Sequence, residues 1–193
     1  MVLPAPRFRA QRKWKALGFV QASSDAKSNA NATVTLTTGA GKLLIGVATN
    51  STNGLSLQVD GATVAPAGSV TSTRIHLVYV VDVASGEHTI NTVGGGSWRT
   101  LIVAEYIGVA TVGPYTSEVS SSGTAAVTPA GAGSVAVAFI ANSNAGTAAS
   151  DDTIRAQQVG VSATYSLALV ENTTPPLNLA TSGAWSAGGL WLS

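Results

Sequence analysis

Thr73-Arg-Ile-His-Leu-Val-Tyr-Val-Val-Asp-Val83 is the stretch that decides the fold. Ile75, Leu77, Tyr79, Val81 and Val83 fall on one side of it, and Arg74, His76, Val78, Val80 and Asp82 on the other. Alternation among β-branched and aromatic residues is the period-2 signature of a strand with one apolar face. The pattern continues outward. Residues 55–59 set Leu55, Leu57 and Val59 against Ser56 and Gln58, and the threonine-rich run 32–38 puts Val34 and Leu36 on one face. Further strands are predicted at 43–49, 88–93, 99–107, 115–120, 134–141, 153–159, 164–171, 176–181 and 185–192. Turn signals part them: Gly39-Ala-Gly41, Asp60-Gly61, Ser85-Gly86, Gly94-Gly-Gly96, Gly131-Ala-Gly133 and Pro175-Pro176. Helix-period patterns are scarce. Many short strands at this spacing predict an all-β sandwich or barrel.

A repeat runs through the chain. Residues 39–54 read GAGKLLIGVATNSTNG and residues 131–146 read GAGSVAVAFIANSNAG, aligning without a gap. A Thr-rich strand precedes each, and a Gly-x-Trp follows each: Gly96-Ser-Trp98 and Gly183-Ala-Trp185. The expected body is two similar halves, about 32–108 and 124–193, related by a pseudo-twofold and forming one sandwich.

Charge divides the chain differently. Arg7, Arg9, Arg12, Lys13 and Lys15 are half of the ten basic residues, and no acid precedes Asp25. From residue 16 onward the formal balance is −4, so a total of +1 hides a basic arm on a mildly acidic body. Pro4 and Pro6 keep the arm extended, because proline fixes φ and lacks a donor. Charged residues make up only 10% of the chain, against roughly 25% in ordinary globular domains. Such neutral Ser/Thr/Asn surfaces suit subunits packed against copies of themselves or other proteins.

With no cysteine, disulfides and thiolate metal sites are excluded. Apolar runs such as Leu43–Ala48 and Leu101–Ala104 fall far short of the roughly 20 residues that span a bilayer as helix, so no membrane partner is expected. Ala16–Ala22 is too short for a secretory core of roughly 7–15 apolar residues, and Gln21 interrupts it. Release by cell lysis is the expected route if the protein acts outside a cell.

Three segments carry a resemblance: Gly41-Lys-Leu-Leu-Ile-Gly-Val47, Val78-Tyr-Val-Val-Asp-Val-Ala-Ser-Gly-Glu-His-Thr-Ile90 and Leu101-Ile-Val-Ala-Glu-Tyr-Ile-Gly108. Their order, with the Ser/Thr-rich stretch Ser117–Ala126 and the closing strand Trp185–Leu192, resembles β-sandwich domains of bacteriophage particle proteins and some bacterial surface proteins. The resemblance covers roughly 40–193 and consists of core and turn residues, so it implies fold and setting rather than chemistry. The fold class expected is all-β: an antiparallel jelly-roll-like β-sandwich over 21–193 with an extended N-terminal arm over 1–20.

Catalytic groups are sparse. His76 alternates onto the polar side of its strand and His88 follows a Ser-Gly-Glu turn, so both read as surface or edge residues. No serine sits in a Gly-x-Ser-x-Gly elbow, and Gly94-Gly-Gly96 lacks the Lys-Ser/Thr of a phosphate loop and reads as a turn. Asp151, Asp152 and Glu171 are the acids that could converge, with Asn142 and Asn144 beside them. Calcium takes roughly 6–8 oxygens, and a solvated loop explains these residues more simply. No metal or cofactor is expected. Trp98 and Trp185, each just past a glycine turn, are the candidates for a glycan-stacking platform, with core or edge packing the plainer reading. Tyr106 reads as core and Glu105 as an ion-pair partner of Arg99 or a neighbour.

The arm carries the functional expectation. Phe8, Trp14, Leu17 and Phe19 interleave with the charges, whereas rings are depleted in solvated tails. Five charges on an acidic body make a weak nucleic-acid ligand, so docking on another protein is the favoured role. Arg7, Phe8, Arg9, Arg12, Lys13, Trp14 and Lys15 form the expected docking strap. The resemblance implies a virion structural protein. A capsid decoration or cement protein, trimeric and bound to the major capsid protein or other virion subunits, is the first expectation. A tail or fibre module binding host glycans is the alternative, and an enzyme is not expected.

Overall fold

A computed structural model describes residues 15–71, 74–143, 147–148, 152–162 and 165–193. Its strands are β1 (Gly18–Ser28), β2 (Thr33–Thr38), β3 (Gly41–Thr49), β4 (Ser56–Val59), β5 (Ala62–Val64), β6 (Gly68–Val70), β7 (Ile75–Val83), β8 (Gly86–Val93) and β9 (Trp98–Ile107). They continue as β10 (Thr116–Ser120), β11 (Ala125–Val127), β12 (Val135–Asn142), β13 (Thr147–Ala148), β14 (Thr153–Gln158), β15 (Ser166–Asn172), β16 (Leu177–Ala180) and β17 (Trp185–Leu192). The chain is an all-β, antiparallel β-sandwich protein.

Four sheets build it, in the orders β1-β9-β3-β7-β6, β2-β8-β4-β5, β10-β17-β12-β15-β14 and β11-β16-β13. The third order is the first with each strand replaced by its counterpart in the second half: β10 for β1, β17 for β9, β12 for β3, β15 for β7 and β14 for β6. The fourth repeats the first three strands of the second, with β11, β16 and β13 for β2, β8 and β4, and β5 has no counterpart in it. Each half is thus a two-sheet sandwich of its own. The two five-stranded sheets lie back to back, with β1 against β14 at one margin and β10 against β6 at the other. That exchange of margins is what a pseudo-twofold between the halves produces.

Three cores fill the gaps between four layers. Leu43, Ile45, Val47, Leu101, Val103 and Tyr79 face the four-stranded sheet of the first half. Their alternating neighbours Leu44, Ala48, Ile102, Ala104 and Tyr106 meet Val137, Phe139, Leu167, Leu169 and Leu190 of the second half. Ala136, Ala138, Ile140, Val170, Trp185 and Trp191 close on Val127, Leu177 and Leu179. The inner strands therefore have no solvent face: β17 is buried from end to end and β9 nearly so. Continuous apolar runs are what two-sided burial requires.

Two expectations are corrected here. The body is two stacked sandwiches rather than one, because the five-stranded sheets are apolar on both faces. Gly18, Phe19 and Val20, assigned to the arm, open the edge strand β1, which pairs with β9 along its whole length. Strand β1 lacks the alternating pattern because, as an edge strand over a second sheet, it is half-buried at every position but Val20 and Lys27. Bulges at Phe19/Gln21 in β1 and Ile154/Ala156 in β14 disturb the two open margins on that side. Such breaks discourage further strands from adding.

Candidate functional site

Of the predicted docking strap, Arg7, Phe8, Arg9, Arg12, Lys13 and Trp14 lie outside the described residues; Lys15 lies within them. It marks where the arm meets the body. The backbone of Lys15 and Ala16 crosses directly over Gly108, whose φ of +71° opens the connector between the halves. The Lys15 ammonium and the Glu105 carboxylate both lie within 4 Å of the point a Cβ on Gly39 would occupy. Glu105 is 1% exposed and accepts hydrogen bonds from Gln21 Nε2 and the Gly39 amide, both at 2.7 Å. The Glu105 carboxylate therefore lies in the neighbourhood of Lys15, the last basic residue of the arm, where opposite charges attract. Beside this root lies a cleft of about 340 Å³ lined in part by Lys15, Gly41, Lys42, Asp82 and Gly108.

Within the body, most charges are tied internally. Lys27 pairs with Asp25 at 2.9 Å, Lys42 with Asp82, and His88 Nδ1 with Asp60 at 2.6 Å. Arg155 grips Glu171 through both Nε and Nη2, at 3.0 and 2.6 Å. Asp152 accepts from the Asn172 side chain and the Asn178 amide, both at 2.7 Å. The candidate cation ligands are therefore engaged elsewhere: Glu171 by Arg155 and Tyr106, Asp152 by the β15–β16 region. Asp151 and Asn144 lie outside the described residues, and Asn142 is buried at the end of β12 with no partner among the described residues.

Several side chains sit where the sequence did not place them. His76 is completely buried rather than at the surface. Alternation put it on the polar face of β7, but that face packs on the second half. Its Nδ1 lies 2.7 Å from Ser186 Oγ and its Nε2 3.1 Å from the Tyr115 hydroxyl. Burial lowers its pKa from 6.5 to about 4. Trp185 is no glycan platform: it is 6% exposed in the core of the second half, its indole N–H donating to Ser122 O at 3.3 Å. Trp98 is half-buried at the start of β9. Glu105 does not pair with Arg99, because the two occupy opposite ends of β9.

Sequence reasoning missed the polar network at the β1/β14 margin. The Tyr106 hydroxyl donates to Glu171 at 2.8 Å, and Arg155 lies 4.9 Å over the Phe19 ring, which itself meets Tyr106 edge-on at 5.6 Å. These residues come from β9, β15, β14 and β1, too far apart in sequence for any spacing to reveal them. With this geometry in hand, the chain matches no protein-family model, no curated protein and no solved structure.

Proposed function

We propose that the chain is a structural subunit of a bacteriophage particle, most simply a capsid decoration or cement protein. On this reading each half is a jelly roll, and the stack is a rigid block that associates with its copies, as a trimer, on the shell. The basic arm is the strap that binds the major capsid protein or another virion subunit. The observation that carries the reading is the partition of charge. The body ties most of its ions internally, while half of the basic residues lie at or before Lys15 in the sequence, and Lys15 itself meets the body at Gly108.

Mostly neutral outer faces support the same reading. Thr33, Thr35 and Thr37 of β2 and Thr89 of β8 are exposed on the outer face of the four-stranded sheet, where Glu87, opposite Thr37, adds a charge. Thr33 bonds Asn91 at 2.8 Å, and Thr35 meets Thr89 at 3.3 Å. Repeated weak arm–shell contacts gain strength from multivalency, since each bound arm raises the effective concentration of the others.

The test is occupancy on purified shells. Replacing Arg7, Arg9, Arg12, Lys13 and Lys15 by Ser is expected to abolish binding while circular dichroism stays that of the parent. Full occupancy by the variant would sink the docking role. Light scattering on the full chain and on a 16–193 truncation, which keeps β1 whole, is expected to give the same oligomer for both.

A further inference from the structure

We infer that Arg99 forms the base of an oxyanion-binding cleft at the end of the first sandwich. It closes the run Gly94-Gly-Gly-Ser-Trp-Arg99, and its side chain points between the two sheets of the first half rather than toward the second. The residue is 8% exposed. Its Nε donates to Gly94 O and its Nη1 to Ala30 O, which fixes the guanidinium plane between the β8–β9 turn and the β1–β2 loop. Both acceptors are neutral.

Among the described residues no carboxylate pairs with this cation. Its cross-strand partners are Thr49 on β3 and Lys27 on β1, and Lys27 is bonded to Asp25. A buried charge normally has a counter-charge, because desolvation without one is costly. Here the remaining N–H donors of the guanidinium have no acceptor from the described chain. They border an open cleft of about 320 Å³ lined by Asn29, Gly95, Gly96, Ser97 and Arg99.

The lining states what fits. Gly95 and Gly96 bring only backbone to the cleft, since their Cβ positions face Asn50, Ser51 and Leu55, and no ring is among the lining residues. The amides of Gly95 and Gly96 donate to Asn53 O and Ser51 O, and one Asn29 Nδ2 hydrogen goes to Ser28 Oγ, so the donors left for a ligand are those of Arg99, Ser97 and the second Asn29 Nδ2 hydrogen. A planar guanidinium fork matches carboxylate and phosphate oxygens bidentately. The ligand is therefore a compact oxyanion, carboxylate or phosphate, at the end of a larger group or free. The site is independent of the proposed particle role and of the arm.

The experiment is an amide NMR titration of the full chain with sodium phosphate and, separately, sodium acetate, each against chloride at constant ionic strength. Saturable shifts centred on Gly95, Gly96, Ser97 and the Arg99 Nε–H are expected. Saturation by acetate alone identifies a carboxylate site, by phosphate alone a phosphate site, and by both the shared chemistry. Saturation by neither overturns the assignment. Because Arg99 also ties two loops, the decisive variant leaves it in place. Asn29→Asp sets a carboxylate at the cleft while keeping a residue type that tolerates the φ of 55° found there. It is expected to weaken oxyanion binding by about tenfold or more with its remaining spectrum unchanged. Equal affinity in Asn29→Asp and the parent would equally overturn the site.

Discussion

The Tyr115 hydroxyl stands 3.1 Å from Nε2 of His76 and completes a chain of hydrogen bonds joining the two halves. Its direction follows from its far end. Ser186 Oγ donates to Arg74 O, so it can only accept from His76 Nδ1–H, which leaves Nε2 bare to accept from Tyr115. Every donor is matched when the imidazole is neutral. At the opposite margin, Tyr106 and Glu171 join the counterpart strands β9 and β15, with Arg155 completing the set. The pseudo-twofold thus places one polar clasp at each side of the apolar layer, and the two have diverged in chemistry: an imidazole in one, a carboxylate and guanidinium in the other.

The imidazole clasp makes stability depend on pH. Burial holds His76 near 4 in the fold against 6.5 in the unfolded chain, so between these values the unfolded state binds the extra proton. Stability attributable to His76 is complete above 6.5, falls as pH drops toward 4, and flattens below. The loss amounts to about 3 kcal/mol at most, at 1.36 kcal/mol per unit. Denaturant unfolding at pH 7, 5.5 and 4.5 on the parent and His76→Gln checks this. The variant is expected to be less stable at pH 7 and to lose much of the slope. Parallel pH profiles would contradict the assignment.

His88 is expected to behave oppositely. Its hydrogen bond to Asp60 and then that to Ala84 O favour the imidazolium and raise its pKa above 6.5, while the Asp60 carboxyl is lowered. The stabilisation by protonated His88 is present below 6.5 and is lost as pH rises through the folded value. The pair lies at an exposed turn, so its effect on global stability is small. An imidazole Cε1 titration by NMR reads both groups together. His88 should titrate above 6.5 and His76 well below it, and two curves overlapping near 6.5 would refute both placements.

At the centre of the apolar layer, β3 has a glycine where β12 has a large ring. A Cβ built on Gly46 would overlap the Phe139 ring, whose neighbours leave it no space to swing aside. Gly46→Ala is expected to cost about 1–3 kcal/mol through overpacking, and Phe139→Ala about 3–5 kcal/mol through the cavity it leaves. Combining Gly46→Ala with Phe139→Leu should cost less than the sum of the single changes, because the smaller side chain makes room for the new methyl. Strict additivity in urea unfolding would show that the two positions do not press on each other.

Strand identity was legible because alternation and turn residues are local. Layering was not. The run Leu43–Ala48 announces a strand buried on both faces, but the partner of its second face comes from β12 and β15, roughly a hundred residues later. The placement of His76 followed from assuming one wet face, and Trp185 at a loop tip from its nearness to Gly183. Each inference held locally and failed on a contact between distant strands. Strand β1 escaped notice for the related reason that Gly18–Ser28 is half-buried at all but Val20 and Lys27 and shows no period. Arg99 was visible only as a candidate partner for Glu105. That no carboxylate among the described residues pairs with it is a property of the folded end of the sandwich.

The root of the arm offers a local test of how firmly the arm is held. Gly108 combines a φ of +71° with close approach to the backbone of Lys15 and Ala16, so a side chain there is strained and also displaces the arm. Gly108→Ala is expected to lower global stability by about 1–2 kcal/mol and to lift Lys15 away from the Glu105 carboxylate. Limited trypsin digestion followed by mass spectrometry reads the second effect as faster cleavage after Lys15. Under the docking role, shell occupancy should fall as well, because the arm would leave the body at a different angle. Cleavage after Lys15 at the parental rate would mean that the body does not hold the arm at Gly108.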